Sequence, residues 1–517
     1  MRQFKEETRR LNSAKSSFVT QKWRKRHPKL RIREFLRHAL GYVPSVFHFN
    51  DIREKGKNML HVFKALGAMI AMDVDSGSVH MVDEPAYEVL SRIETMEPDA
   101  IVAELKDRFD ENDLREIIAE IDEMKQAGQL LTNYDYTGLE IKTAGTVKAM
   151  CLHAAHDCNL RCKYCFADGG DYHGQHRMLL PYDVGVKALD WLIAHSGNRH
   201  NLEVDFFGGE PLMNFEVVKR LVEYGRKREK EAGKHFNFTI TTNCVALTDD
   251  KMEFINKEMK NIVLSLDGRK SVHDFMRPTA NGKPSYDIIL PHALKMAKMR
   301  GDKEYYVRGT YTAMNPDFSK DVIALNDAGF EQISVEPVVL TPDSPYALRP
   351  DQLPMLKEQY EELGQEYIRR RAAGHFINFF HFNVDLEGGP CIRKRLSGCG
   401  SGDEYVAVTP EGDIYPCHQF VGREGYKMGS VLDGSFDTTI QKRFAANHVL
   451  NKEKCRSCWA RFYCSGGCAA NAQLLNGDIS KPYDMECELE RKRLECAIAV
   501  YAIERENRLR AKEQEEK

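Results

Sequence analysis

A chain of 517 residues is too long for one ordinary core, and 42% hydrophobic with 29% charged is the composition of a soluble, multi-domain globular protein. A net charge of −3 gives no global reason to bind nucleic acid. No run of about eighteen apolar residues marks a membrane span, and no apolar segment near the start marks a secretory signal, so the expected location is the cytoplasm, without membrane or nucleic-acid partners.

Residues 1–58 come first. They hold 16 Lys and Arg against 5 Asp and Glu, a charge of +11 that leaves −14 for the rest of the chain. Such a segment reads either as a basic arm or as a solvated extension upstream of the true start, and the patterned stretch beginning at Met59 favours the second. Residues 59–137 form the first patterned unit. Positions 60–74 read as one extended apolar run, Asp75-Ser76-Gly77 as a turn, and 78–82 as a returning strand. Pro85 opens a helix with Tyr87, Leu90 and Ile93 on one face, and two more helices are expected near 99–108 and 112–128, the last stopped by Gly128. A hairpin with three short helices is a winged-helix-like module.

Residues 145–340 alternate strand and helix. Strands are expected at 150–155, 202–207, 236–242, 261–266, 305–312 and 332–338, with helices between them, such as 181–195 and 214–231. Six repeats of this kind predict an α/β fold with a parallel sheet, wound as a partial (β/α)6 barrel with its chemistry at the C-terminal ends of the strands. Residues 341–390 read as a helical connector with an aromatic run at 376–382. Residues 391–490 read as cysteine-rich, poor in regular structure and held by metal, and 491–517 as a charged helix that frays.

Of 14 cysteines, 11 lie in two regions, 158–165 and 391–487. In a large chain without a secretory signal, such clusters read as metal ligands rather than disulfides. Cys151, Cys244 and Cys496 stand apart and read as small buried hydrophobes. The first cluster is Cys158-Asn-Leu-Arg-Cys162-Lys-Tyr-Cys165, a C-x3-C-x2-C spacing on the loop after the first strand. Three thiolates can hold three irons of a cubane and leave the fourth open to a small chelating molecule, whereas zinc would want four closed ligands. The second region holds Cys399, then Gly412 and Cys417, then Cys455, Cys458, Cys464 and Cys468, and later Cys487. Taken alone, the spacing from Cys455 to Cys468 also fits a zinc ribbon.

The first motif resembles the signature of the radical S-adenosylmethionine (SAM) superfamily, and the second region resembles its seven-cysteine SPASM extension. The resemblance implies that the amino and carboxylate groups of SAM occupy the open iron. One electron then cleaves the sulfonium, and the resulting 5′-deoxyadenosyl radical takes hydrogen from a substrate. It also implies cofactor contacts at strand ends. Gly208-Gly209-Glu210-Pro211 is similar to the family's GGE motif, with backbone and carboxylate toward the cofactor's ammonium. Thr242 and Asn243, with Ser265 and Asp267, look like ribose- and carboxylate-facing positions; Arg308 is a partner for the cofactor carboxylate, Glu336 closes the sixth strand, and Tyr164 lies near the adenine. For the SPASM region, the resemblance implies two auxiliary [4Fe–4S] clusters, one on Cys399, Cys417 and Cys468 and one on Cys455, Cys458, Cys464 and Cys487. The remaining position is either filled by Cys391 or left open to a substrate thiolate.

Longer runs narrow the resemblance. His156 to Ala167, Glu203 to Asn214, Met276-Arg277-Pro278-Thr279, Tyr415 to Gly422 and Cys458 to Cys468 together look like the thioether-forming maturases of SCIFF (ranthipeptide) precursors. This implies that a small Cys-rich precursor pairs its leader, as an added strand, on the hairpin edge of 59–137. It further implies that a carbon of an acceptor residue, commonly threonine, loses hydrogen and is captured by a precursor cysteine sulfur, with electrons from a donor such as flavodoxin or ferredoxin. Asp385 and Asp403 are acid–base candidates, against the plainer reading of each as a surface or turn carboxylate. Two other readings stay open. One is a SPASM dehydrogenase of the sulfatase-maturase type, which oxidises Cys or Ser of a target protein and would not need the N-terminal module. The other is a metal-held binding protein, against which the open C-x3-C-x2-C site argues.

Overall fold

The computed structural model describes residues 32–36, 59–133, 136, 145–174, 176–386 and 392–515, which separate into two compact units. Cys391 and all of segment 1–58 except 32–36 lie outside the described residues.

Among the described residues, the first unit holds 32–36, 59–133, 386 and 502–515. Its sheet is antiparallel and four-stranded, in the order β1-β4-β3-β2. β1 is Ile32–Leu36, β2 Leu60–Ala65, β3 Ala68–Asp73 and β4 Val79–Val82. The run expected as one extended stretch is thus a hairpin. It reverses at Leu66 and Gly67, both at positive φ (52° and 79°), the two-residue turn whose twist matches its strands. Asp73 organises the next turn by accepting from Ser76 N (2.8 Å) and Thr132 N (2.8 Å). Helices α1 (Glu84–Leu90), α2 (Pro98–Leu105) and α3 (Glu111–Gln126) follow, with Asp83 and Asp110 as N-caps. Their inward faces, including Val89, Ile101, Leu105, Leu114, Ile117 and Ile121, make one apolar core.

The second unit holds 136–385 and 389–501. It alternates β5 (Ala149–Ala155), α4 (Tyr182–His195), β6 (Asn201–Gly208), α5 (Phe215–Ala232), β7 (His235–Thr242), α6 (Asp249–Glu258) and β8 (Asn261–Ser265). Then come α7 (Lys270–Met276), α8 (Tyr286–Arg300), β9 (Glu304–Tyr311), α9 (Ser319–Asp327), β10 (Gln332–Pro337), α10 (Leu353–Ala372) and the short β11 (Asn378–Phe379). β5 to β11 are parallel and ordered as in the sequence. The fold is therefore mixed α/β with a parallel-dominated sheet. β5 is buried at every position from Met150 to Ala155, as befits a strand covered on both faces.

The cysteine-rich region is more regular than its sequence suggests. After α11 (Ile392–Ser397), β12 (Tyr405–Val408) pairs in parallel with β5, and β13 (Asp413–Tyr415), β14 (Gly429–Ser430) and β15 (Ser435–Phe436) extend the sheet antiparallel. Helices α12 (Thr438–Ala445), α13 (Glu453–Arg456), α14 (Arg461–Cys464), α15 (Ala469–Asn476) and α16 (Asp484–Glu515) complete the chain. The residues expected as a fraying helix belong to α16, in which Cys496, Ala497, Ile498 and Ala499 are fully buried. Cys151 and Cys244 are also fully buried. Among the described residues, no helix is long and apolar enough to cross a membrane.

His80 couples the first unit to pH. Its ring is buried on β4 with Nε2 against the Gln129 carbonyl (3.2 Å), and burial lowers its pKa from 6.5 to about 4. Below pH 6.5 the unfolded unit takes a proton that the folded one refuses, so the stability is complete above that value and falls as pH drops toward 4. Between about pH 7 and about pH 4.5, native-state hydrogen exchange over 60–126 should report a loss of roughly 2–3 kcal/mol in opening free energy. In His80→Gln, which keeps a donor and cannot titrate, that loss should be absent.

Candidate active site

The C-x3-C-x2-C loop leaves the C-terminal end of β5, and its first residues are clamped by backbone. Gly209 N donates to Ala155 O (2.7 Å) and Glu210 N to Asp157 O (2.9 Å). A Cβ on Gly209 would lie 2.1 Å from Asp157 O, and one on Gly170 would lie 2.7 Å from Asp157 Cα. Gly209 of the GGE motif therefore serves the approach of residue 157, immediately before the first cysteine, while Gly208 serves that of Ala155, whose carbonyl oxygen would lie 2.3 Å from a Cβ on Gly208. Further along, Ala280 N donates to Asn159 O (2.9 Å), Arg161 N to Pro278 O (2.8 Å) and Lys163 N to Met276 O (2.9 Å). The loop thus runs along Met276-Arg277-Pro278-Thr279 almost as a strand, with Leu160 bridging Thr279.

This scaffold turns three thiols toward one another. Burial pushes Cys158 and Cys162 up to about 12; Glu210 and Cys165 add to the rise at Cys158, and Cys165 and Cys158 to that at Cys162, which Arg277 opposes. Leu160 N (3.4 Å) and Asn243 Nδ2 (3.6 Å) donate to Cys158 Sγ, bonds that favour a thiolate.

The other expected site residues fall into three sets. Glu210 is buried, with Oε1 accepting from Thr242 Oγ1 (2.7 Å) and Leu212 N (3.0 Å), and Oε2 accepting from Asn243 N (2.7 Å). Burial raises its pKa and these bonds oppose the rise. Asn243 Nδ2 also reaches Asn159 Oδ1 (2.7 Å), so the ends of β6 and β7 and the cysteine loop form one network. Asp267 is the second hub. It accepts from Tyr164 Oη (2.8 Å), Arg277 Nε (3.0 Å) and Thr310 N (3.1 Å). Arg277 lies 5.5 Å from the Tyr164 ring centre. Sequence reasoning singled out Met276–Thr279 only as a run; Arg277, the buried cation beside Cys162, is a site residue it missed.

The third set shares one face of the parallel sheet. Ser265, Arg308 and Glu336 lie there with Asp205 and Thr241. Arg308 Nη2 pairs with Glu336 Oε2 at 2.5 Å. Burial would raise Glu336, but Arg308, with His381 and Arg493, outweighs it and holds the carboxyl down to about 2. Burial pushes Asp205 up to about 7 against the pull of Thr241 and Arg308. Asp205 was not singled out, because a lone acid in an alternating strand carries no local signal. His418, next to Cys417, lies over the same face, its ring 5.0 Å from that of Phe207 and 5.2 Å from that of Phe166 on the cysteine loop.

The later cysteines form two groups. Burial raises the Cys417 thiol, with Cys468 and then Cys399 adding to the rise, and Cys468 in turn feels Cys399. Cys455 feels Cys458, Cys487 feels Cys455, and Cys464 feels Cys487. Lys452, buried with Nζ donating to Gly466 O (2.8 Å), neighbours both groups. Burial lowers its pKa, and the thiols of Cys455, Cys464 and Cys468 pull the other way. Among the described residues, no three His, Cys, Asp or Glu side chains converge as one metal ion would require. Asp385 is exposed, and Asp403 is buried in the turn before β12, its N–H donating to Gly400 O (3.1 Å).

Two regions of the chain match models of known domains. Residues 143–288 match the model of a 4Fe-4S single cluster domain, and residues 399–459 match the SPASM iron-sulfur cluster-binding domain. The cysteine-type anaerobic sulfatase-maturating enzyme of Clostridium novyi (strain NT) is 24% identical over 346 residues, covering 62% of this chain and 87% of that enzyme. The radical SAM cyclopropyl synthase TigE of Paramaledivibacter caminithermalis is 20% identical over 455 residues, covering 80% and 89%. Among solved structures, anSMEcpe with bound AdoMet and Cp18Cys peptide shares the fold at a TM-score of 0.57 and 18% identity, covering 69% of this chain and 99% of that one.

Two outcomes follow for the reconstituted protein. Gly209→Ala should displace the cysteine loop and lower iron from about 12 to about 8 per chain, with the loss confined to one cubane. Cysteine pairs report the grouping: Cys399→Ala with Cys468→Ala should cost about 4 irons, as either single variant does, whereas Cys399→Ala with Cys455→Ala should cost about 8.

Proposed function

Because the chain carries the cluster-binding and SPASM regions of radical SAM enzymes, we propose that it is a peptide maturase that closes thioether bonds in a small cysteine-rich precursor. One observation carries this reading. The Cys399–Cys417–Cys468 group, through His418, and the Cys158–Cys165 loop, through Phe166, meet over one polar sheet face. A precursor sulfur held at the three-thiol group would stand over the face where hydrogen is taken.

When bound, SAM and the clusters supply hydrogen-atom abstraction and take up one surplus electron. The chain's own residues do the rest. Cys158, Cys162 and Cys165 hold the cofactor's cluster, and the Glu210–Thr242–Asn243 network keeps their loop in place. Ser265 and Arg308, on one sheet face, would hold the cofactor's polar groups, with Arg308 braced by Glu336. Asp205 is poised near neutrality on the same face and takes the proton of the cysteine thiol. The balance closes: C–H and S–H bonds are lost, a C–S bond forms, and one hydrogen atom, one proton and one electron leave. The unit at 59–133 takes the precursor's leader, and a flavodoxin- or ferredoxin-type protein supplies electrons.

The match to sulfatase-maturating enzymes favours a second reading, oxidation of a Cys or Ser in a target protein. Co-expression with a cysteine-rich peptide separates the two. A maturase product is two hydrogens lighter per link, loses an alkylatable thiol and resists reduction, whereas an aldehyde product reacts with a hydrazide. Cys162→Ala should abolish release of 5′-deoxyadenosine. Cys417→Ala should keep slow release and lose the link; normal cross-linking by that variant would remove the three-thiol group from the mechanism.

A further inference from the structure

The outer edge of β4 is already taken. Without β1, Val79–Val82 would present a row of backbone donors and acceptors, since its other side is spent on β3. β1 fills that row antiparallel, setting Ile32 against Val82, Arg33 against Met81 and Glu34 against His80, and then shifting register to set Leu36 against Val79. β1 belongs to the basic segment 1–58, and it ends well before β2 begins at Leu60.

We propose that β4 is a strand-accepting surface whose resident partner is the chain's own Ile32–Leu36, and that any extended peptide docking on this edge must displace it. If the leader docks there, as in the function proposed above, Ile32–Leu36 is its competitor in cis. Because the resident strand is part of the same chain, its competition is intramolecular and does not weaken on dilution. A peptide in trans therefore sees only the fraction of molecules whose edge is open, and its apparent affinity falls by that fraction.

The test uses the full chain and a full-chain variant with Arg33→Pro and Glu34→Pro. Neighbouring amides of a strand point to opposite sides, so one of the two prolines removes a donor aimed at β4 whatever the phase. The probe is a fluorescent synthetic peptide of residues 28–40. It should bind the variant about tenfold or more tightly than the unaltered chain, and the same peptide carrying both prolines should bind neither. Hydrogen exchange at 79–82 should be slow in the unaltered chain, fast in the variant and slow again with peptide, while the β2–β3 hairpin and α3 stay protected. Glu34→Gly, which keeps the amide but weakens the strand, should move each readout the same way by less. Equal exchange at 79–82 in all three proteins, equal peptide affinity, or no binding to the variant would each overturn the proposal. None of these readouts needs a precursor or turnover, so failure of the maturase reading is seen separately, as no precursor modified.

Discussion

Everything at the candidate active site depends on how closely the backbone of Asp157 passes Gly209. The carbonyl of residue 157 lies where a side chain on residue 209 would begin; Gly209 N bonds back to Ala155 at the end of β5, and Glu210 N to residue 157 itself. This contact sets where the cysteine loop leaves the sheet. Glu210 follows the clamp immediately and spends its carboxylate on the end of β7, so two strand ends and the loop move as one body. A cluster bound by three thiols needs this rigidity, because a loop free to spread by an ångström would exchange its open iron corner for a floppy one.

Charge is arranged with similar economy. The sheet face carries acids and bases that differ in what opposes burial. Glu336 has Arg308 against it and stays ionised, while Asp205, four strands away on β6, has a long bond from Thr241 and the same cation at greater reach. Arg277 is balanced by Asp267 and is left able to stabilise the thiolate of Cys162. Lys452 plays a comparable part among the later cysteines. Anionic clusters in a desolvated interior call for fixed cations, and Arg277 and Lys452 are both buried.

Much of this was legible in the sequence. The six parallel strands of 145–340 announce themselves by strand-length apolar runs between helical periods, and the cysteine spacings declare themselves as ligand sets. What escaped notice depends on distant partners. The reversal at Leu66-Gly67 needs a leucine at positive φ, which only the pairing of β2 with β3 enforces. The run Met276–Thr279 looks like an ordinary helix exit until the cysteine loop is laid along it. Asp205, Arg277 and Lys452 become special only through burial beside groups far away in the chain. The strands of 405–436 are two to four residues long, too short for a period to show, and exist because β5 offers them an edge.

That last pairing has a consequence for biosynthesis. β5 has two neighbours, β6 close behind it in the chain and β12 some 250 residues later, with Tyr405 to Val408 registering against Ala149 to Leu152. On the ribosome the strand that carries the cysteine loop therefore waits, one edge bare, until the C-terminal region has emerged, and long-range pairings of this kind are slow to form and prone to association in the interval. The loop is complete as a ligand set long before its supporting sheet is closed.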